Sequence, residues 1–488
     1  MMTGAEYLES LREVKRVVYF MGERVPEPID HPAMRPHANA AAVTYDVACD
    51  PRYQDMASAV SHLTGRRINR WTHIPQNQED LVMKVRMLRL VGQFTGTCFQ
   101  RCVGMDALIS LNSVTWQMDQ KLGTEYHERF KRFLAYTQEH DLMSDGAMTD
   151  PKGDRSKRPS EQHDPDQFVR VVERRADGIV VRGAKVHQTG AVNSHQIIVL
   201  PGTAMVPEDK DYAVSFAIPA DAPGVTFVFG RHINDSRKWE GHIDQGNPNY
   251  GVVGGEAMIV FDDVFVPWER VFMCGETEFA GLLVERFSTY HRQNYGSCKA
   301  GNMDVLLGAT MAVADMQGTL KAGHIREKLA DMAHMVETMW SGALACSYNC
   351  TTLGCGTAYV DPLLANVSKA NTARNYPELS RISLEIAGGF IATMPSEREF
   401  ENPAVAHYVR KYFQGREGVS AEERIRIGRL IENLTGNTPI VECMHGAGSP
   451  QVQKVVVQRQ VDWERKRLRA RRLSGLAAED PSEPRPER

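Results

Sequence analysis

The apolar residues of this chain change their spacing twice, and that double change limits the folds open to it. From Gly4 to about His140 they recur at helical intervals, as in Leu81, Val85, Leu88, Leu90 and Val91, with Lys84 falling at the same spacing, which returns to one helix face every three or four residues. Between Phe168 and Met273 the interval shortens to two. There Phe168–Val172 and Ile179–Val181 flank an Asp177-Gly178 turn signal, and β-type runs follow at Ile197–Leu200, Ala213–Ala217, Val225–Phe229 and Ala257–Phe261. From about Ala280 the helical interval returns through Cys346, resumes over Leu364–Thr393 and Ala421–Leu434, and ends in a basic helix near Arg465–Arg472. The turn-rich stretch Met143–Arg155 marks a boundary. The pattern predicts an α+β chain: a helical domain over 1–142, a mainly antiparallel β domain over 143–275, a helical bundle over 276–472 and a disordered tail over 473–488.

Charge and cysteine usage narrow the function. With 57 basic and 61 acidic residues the net charge is −4, which gives no broad field for nucleic acid or a membrane surface. The cations of the basic helix face the negative end of the helix dipole. No run of about 20 apolar residues is present, and the first thirty residues lack a signal-type apolar core, so a cytoplasmic location is expected. Nine cysteines, an odd number, argue for reduced thiols and make any grouped pair a metal-ligand candidate first.

Cys98-Phe-Gln-Arg-Cys102 places two thiols one turn apart on a predicted helix. His291 and Cys298 stand seven residues apart, roughly 10 Å of helix rise; that is long for one ion but compatible with a cluster of several irons. A denser trio, Cys346, Cys350 and Cys355, reads as packing, because Cys346 and Cys350 continue the apolar face of Met339, Ala343 and Leu344.

The segments HRQNYGSCK over 291–299, CFQRC over 98–102, AKVHQTGAVNSH over 184–195 and MHGAGSPQ over 444–451 resemble the 4-hydroxybutyryl-CoA dehydratases. That group lies within the 4-hydroxyphenylacetate 3-hydroxylase superfamily, and the similarity covers roughly residues 1–470. The resemblance implies an acyl-CoA-dehydrogenase-like fold, FAD, one 4Fe-4S cluster per subunit, and a homotetramer whose flavin sites are completed by a neighbouring subunit. It implies radical dehydration of a CoA thioester, 4-hydroxybutyryl-CoA, to crotonyl-CoA, with vinylacetyl-CoA isomerisation as a further activity. Matched position by position, Cys98, Cys102, His291 and Cys298 would hold the cluster, and His291, Glu442, Tyr295, Lys299 and Glu256 would be catalytic. With no GxGxxG fingerprint, the flavin would be held outside a Rossmann mode. Its candidates are Thr149, Lys152, Gly153, Asp154 and Arg155 in one loop, Gln188, Thr189 and Gly190 in a turn, and Gly388 and Gly389 near a helix end. Two departures stand out: the stretch between Phe400 and Glu422 looks short for the family, and the basic helix and tail look like an extension past its usual end.

The chemistry explains the grouping. Loss of water from a 4-hydroxyacyl thioester requires the C3 proton, which is β to the carbonyl and not acidic, so acid–base residues alone do not suffice. One-electron exchange with a flavin acidifies it, and an iron with an exchangeable ligand assists departure of hydroxide. His291 and Glu442 are both base candidates, unranked by sequence. Two other readings remain: a flavin-dependent aromatic monooxygenase of the 4-hydroxyphenylacetate type, in which the thiols only pack, and a non-catalytic, cluster-bearing oligomer.

Overall fold

The computed structural model describes residues 1–231 and 241–476. Its first part carries helices α1 (Gly4–Glu13), α2 (Arg35–Cys49), α3 (Gln54–Ala57), α4 (Gln78–Thr95), α5 (Cys102–Leu122) and α6 (Tyr126–Glu139). Side-chain caps start two of them: Thr3 and Glu6 form a reciprocal box at α1, and Asn77 accepts from the Asp80 amide at α4. Gly96 ends α4 with φ 61°, a left-handed conformation that glycine adopts without a Cβ clash.

Strands also occur here, against the all-helical expectation: β1 (Val17–Phe20), β2 (Glu23–Val25), β3 (Ser58–Val60) and β4 (Arg67–Asn69). Each is too short to disturb a helical pattern read over roughly 11–18 residues. β1 is stabilised by a distant partner, pairing in parallel with Thr226–Val228.

Between residues 144 and 274 lie β5 (Ser144–Ala147), β6 (Arg170–Arg174), β7 (Gly178–Thr189), β8 (Gln196–Val199), β9 (Val214–Pro219), β10 (Val225–Phe229), β11 (Glu256–Pro267) and β12 (Val271–Cys274). They build a six-stranded sheet in the order β2-β1-β10-β11-β7-β6 and a four-stranded sheet in the order β12-β9-β8-β5. Among the described residues only β1–β10 and β5–β8 pair in parallel. The turn between β6 and β7 falls one residue earlier than its sequence signal. Arg175 N donates to Gly178 O at 2.8 Å, and Gly178 already pairs with Pro267. Ile179, Val181, Phe216, Phe227, Ile259 and Phe261 are buried in one core.

The rest is helical: α7 (Thr277–Met316), α8 (Gly323–Tyr348), α9 (Pro362–Ala387), α10 (Ala406–Phe413), α11 (Ala421–Thr435), α12 (Asn437–His445), α13 (Pro450–Gln460) and α14 (Trp463–Leu473). The 40 residues of α7 span about 60 Å and pack against α4, α5, α8 and α9. Glycines permit a close crossing with α4: a Cβ on Gly301 would stand 2.2 Å from Arg89 O, and one on Gly92 2.7 Å from Cys298 O. The helix expected to reach Thr393 stops at Ala387, because Gly388 turns the backbone to φ 83° and a short 3-10 turn follows. No residue of the basic helix α14 is buried. Of the tail expected to be disordered, residues 477–488 lie outside the described residues. Among the described residues, no helix is long and apolar enough to cross a membrane.

Candidate active site

Phe287 to Met303 are buried without a break, so the centre of α7 is enclosed on every side. A helix enclosed in this way is ordinarily apolar, yet this stretch contains His291, Arg292, Gln293, Asn294, Tyr295, Cys298 and Lys299. Each polar group therefore needs a partner inside the protein. Asp106 of α5, with no exposed surface, accepts from Lys84 Nζ at 2.9 Å through Oδ1. Its Oδ2 lies 2.8 Å from His291 Nδ1 and accepts from Asn294 Nδ2 at 2.6 Å. Lys84 also donates to Gln293 Oε1 at 3.2 Å. The His291 ring stacks on Phe287, with centroids 5.5 Å apart, and meets Tyr295 edge-on at 5.4 Å.

The two thiols expected on one helix are arranged otherwise. Cys98 lies in the connector after Gly96, while Cys102 is the first residue of α5. Between them Gln100 takes φ 70°, held by hydrogen bonds from its Nε2 to His37 O at 2.8 Å and from Asn193 Nδ2 to its Oε1 at 2.6 Å. The thiols still meet. Cys98 alongside it, followed by burial, holds the Cys102 thiol well above its ordinary range, and Cys298 contributes to the same shift. Burial pushes the Cys298 thiol up to about 12. Among the described residues, no three His, Cys, Asp or Glu side chains converge closely enough to hold a single metal ion. Of the rival trio, Cys346 is buried and its Sγ donates to Ala343 O, while Cys350 and Cys355 are half-buried.

One and two turns further along α7 from His291, Glu442 of α12 accepts from Tyr295 OH at 3.1 Å and forms an ion pair with Lys299. Burial opposes the charge on Lys299, but Glu442, Cys298 and Cys98 outweigh it and raise its pKa well above the ordinary value. Burial, then Glu442, raises that of Tyr295. Lys369 of α9 donates to the Cys443 carbonyl and sits 4.1 Å over the Tyr295 ring. Burial lowers its pKa to about 8.

The sheet closes a third side. Thr189 and Glu256 pair across β7 and β11, with Thr189 Oγ1 donating to Glu256 Oε1 at 3.4 Å. Gly254 lies between them and the thiol loop: a Cβ there would stand 2.2 Å from Thr189 Cγ2 and 3.3 Å from Cys98 Sγ. Gly190, with φ 77°, packs on Gln100. The loop beginning at Thr149 is tied to the same strand, since Thr149 O accepts from Val186 N and Gln188 Nε2 and a buried Lys185–Asp150 ion pair of 2.5 Å anchors it. Lys152, Gly153, Asp154 and Arg155 are exposed. His187 is held below its ordinary pKa by burial and by Lys152 and His445 nearby. Gly388 and Gly389 stand apart: they follow Lys369 by 19 and 20 residues at the end of α9, roughly 28 Å of helix rise.

The sequence reading missed Asp106, Lys84 and Lys369. Lys84 falls on an apolar face and was counted as part of its period; a charged residue in that position is itself the signal of a buried partner. Asp106 follows Cys102 by one turn in a helix buried from Gly104 through Thr115.

Family models described as 4-hydroxyphenylacetate 3-hydroxylase N terminal and C terminal match residues 3–273 and 280–475. The second match reaches past α14, so the basic helix lies within the family's extent rather than beyond it. The chain is 47% identical over 490 residues to 4-hydroxybutyryl-CoA dehydratase/vinylacetyl-CoA-Delta-isomerase of Clostridium aminobutyricum, covering 98% of this chain and 100% of the relative. It matches a solved oxygen-tolerant archaeal 4-hydroxybutyryl-CoA dehydratase from N. maritimus with a TM-score of 0.95 and 48% identity, covering 99% of this chain and 96% of that one. The FAD-complexed oxygenase component (HpaB) of 4-hydroxyphenylacetate 3-monooxygenase matches at a TM-score of 0.85 and 25% identity, with 97% and 98% covered. The likeness in fold extends to butyryl-CoA dehydrogenase from Megasphaera elsdenii, at a TM-score of 0.51 and 14% identity over 93% and 97% of the two chains, so this mixed helix-and-strand chain has an acyl-CoA-dehydrogenase-like neighbour. Matched along its length by both family models and by these relatives, the chain belongs to the 4-hydroxyphenylacetate 3-hydroxylase family, alongside the 4-hydroxybutyryl-CoA dehydratases.

Proposed function

We propose that the chain dehydrates 4-hydroxybutyryl-CoA to crotonyl-CoA with FAD and a 4Fe-4S cluster, and that it also isomerises vinylacetyl-CoA. The observation that carries this reading is the enclosed polar centre of α7, where thiols, an imidazole and a lysine–tyrosine–carboxylate group gather away from solvent. The dehydratase relative is 47% identical, whereas an oxygenase of the aromatic-hydroxylating branch, from Thermus thermophilus, is 27% identical.

The donor set fits both groups. Cys98, Cys102 and Cys298 are soft sulfur donors, and Asp106 on Nδ1 leaves His291 with Nε2 for a metal. Ligands spread over a connector and two helices fit the separate irons of a cluster better than one ion. Thr149, Lys152, Gly153, Asp154 and Arg155, with Gln188, Thr189 and Gly190, would hold the flavin, and Lys152 would bring a cation to its phosphates. Gly388 and Gly389 would serve a neighbouring copy's flavin in a homotetramer. When bound, the flavin supplies one-electron exchange and the cluster a Lewis acid, two capacities that side chains lack.

The chain's own groups move the protons. The thioester acidifies the C2 proton, which Glu442 or His291 accepts. Lys299 and Tyr295 fix the Glu442 carboxylate, one on each oxygen. Asp106 plays the corresponding part for His291, since a carboxylate on Nδ1 fixes the orientation of the ring. Thr189 and Glu256 orient substrate from the sheet side, and the enclosure of α7 keeps competing water out.

The test is an anaerobic preparation supplied with iron and sulfide, which should carry about one FAD and about four irons per chain and convert 4-hydroxybutyryl-CoA to crotonyl-CoA. Stoichiometric flavin without iron or sulfide after reconstitution would sink the reading in favour of the hydroxylase.

A further inference from the structure

Two helices each deliver one thiol and one half of a carboxylate–imidazole pair. On α5, Cys102 and Asp106 are one turn apart; on α7, His291 precedes Asn294 by three residues and Cys298 by seven. Neighbouring positions at i and i+4 share a helix face, so the anchor of the imidazole rides on the same face as a thiol. We infer that Asp106, itself held by Lys84, is the positioning residue that keeps His291 protonated at Nδ1 and so presents Nε2 to the iron. This rests on the cluster reading above and goes beyond it by naming a residue that none of the motif matches includes.

The two oxygens of Asp106 do different work. Oδ1 receives Lys84, which supplies the counter-charge that a carboxylate with no exposed surface requires. Neutralising Lys84 needs nothing more, yet Oδ2 faces His291 Nδ1 at 2.8 Å, with Asn294 Nδ2 fixing the same oxygen at 2.6 Å. An ionised carboxylate only accepts, so the nitrogen facing it is the one that carries hydrogen. The ring cannot easily turn over. Phe287 stacks on one face and Tyr295 meets it edge-on, so exchanging the two nitrogens would break the carboxylate bond inside a packed sleeve. The chain of bonds continues from Lys84 to Gln293 and from Gln293 Nε2 to Ser347 Oγ at 2.8 Å, so α4, α5, α7 and α8 all take part in setting one ring. Carboxylates behind metal-bound histidines act in this way, fixing tautomer and orientation.

The test uses holoenzyme reconstituted anaerobically with Mössbauer-active iron and containing nitrogen-labelled histidine. In Asp106→Asn, iron and flavin should stay at wild-type stoichiometry, the Mössbauer signal of the histidine-bound iron should shift, and dehydration should fall about 10–100-fold. Asp106→Asn leaves Lys84 charged and buried; if it does not fold, the double variant Lys84→Met/Asp106→Asn, which removes both charges, takes its place with the same expectation. A variant with wild-type rate and an unchanged iron signal would overturn the inference while leaving the cluster reading intact. Wild-type protein that takes up no iron would end the cluster reading by itself. The inference is then judged on the nitrogen NMR signal of His291 in that iron-free protein, assigned by its loss in His291→Gln: hydrogen on Nδ1 sustains the positioning role, and hydrogen on Nε2 overturns it.

Discussion

A lysine buried without its own carboxylate has to hold its proton against the cost of desolvation, and Lys369 shows the consequence in a pKa lowered to about 8 from 10.5. Between those two values the unfolded chain binds more protons than the folded one, so folded stability attributable to this residue rises with pH across that window. The Tm of wild type relative to Lys369→Met should therefore climb as pH goes from about 8 towards 10.5; a flat difference would mean that the amine titrates alike in both states. The unassigned thiols give a second check. If Cys346, Cys350 and Cys355 only pack, replacing all three with alanine should cost on the order of 1–3 kcal/mol in a denaturation experiment, with iron content unchanged. At this scale the site was legible where residue chemistry is rare: grouped thiols and a histidine in a signal-bearing segment announce themselves. Asp106 and Lys84 did not, because each lies in a helix whose neighbours are buried, and a polar side chain there looks like one irregularity in an apolar period until its partner is seen on another helix.

Helix α7 holds the site together, and its glycines separate packing from propensity. A Cβ at Gly301 would meet Arg89 O at 2.2 Å and Gln93 N at 3.0 Å, both backbone atoms of α4, whereas one at Gly308 would meet nothing within 4 Å. Gly301→Ala should thus destabilise by about 1–3 kcal/mol through overpacking, and Gly308→Ala should stabilise by about 0.5–1 kcal/mol through helix propensity. Urea denaturation of the two variants side by side decides it, and equal effects would mean that the α4–α7 crossing does not depend on close backbone approach. The long helices and the strands β8 to β11 were readable because their periods persist over several residues on one buried face. The Cys98–Cys102 connector was not, since its break depends on the left-handed Gln100, which is kept in place by His37 and Asn193 from elsewhere in the chain. β1 escaped for the same reason: its pairing with β10 is a fact about distant residues and leaves no local trace.

At the scale of the whole molecule the distribution of the flavin candidates becomes an argument about assembly. The loop from Thr149 and the turn at Gly190 share one strand, and the turn lies against the thiol connector. Gly388 and Gly389 close a helix roughly 28 Å further along than Lys369, and a Cβ on either would meet nothing within 4 Å in its own chain. Gly388 is accounted for by its φ of 83° at the helix end, but both positions leave room for an approach from outside. If they serve a flavin, that flavin belongs to another copy, and each binding site combines the loop of one chain with the glycines of its neighbour. Two variants test this, each damaging one half. Gly389→Tyr and Lys152→Glu, both exposed changes, should fold with stabilities within about 0.5 kcal/mol of wild type, and each prepared alone should lose FAD. Co-expressed, the two chains should recover flavin at about a quarter of the sites, the fraction that joins an intact loop to intact glycines in a randomly mixed closed oligomer. The flavin-to-protein absorbance ratio of the purified mixture reads the result. Were the halves to meet within one chain, every site in the mixture would still carry one lesion and the ratio would stay at the level of the single variants.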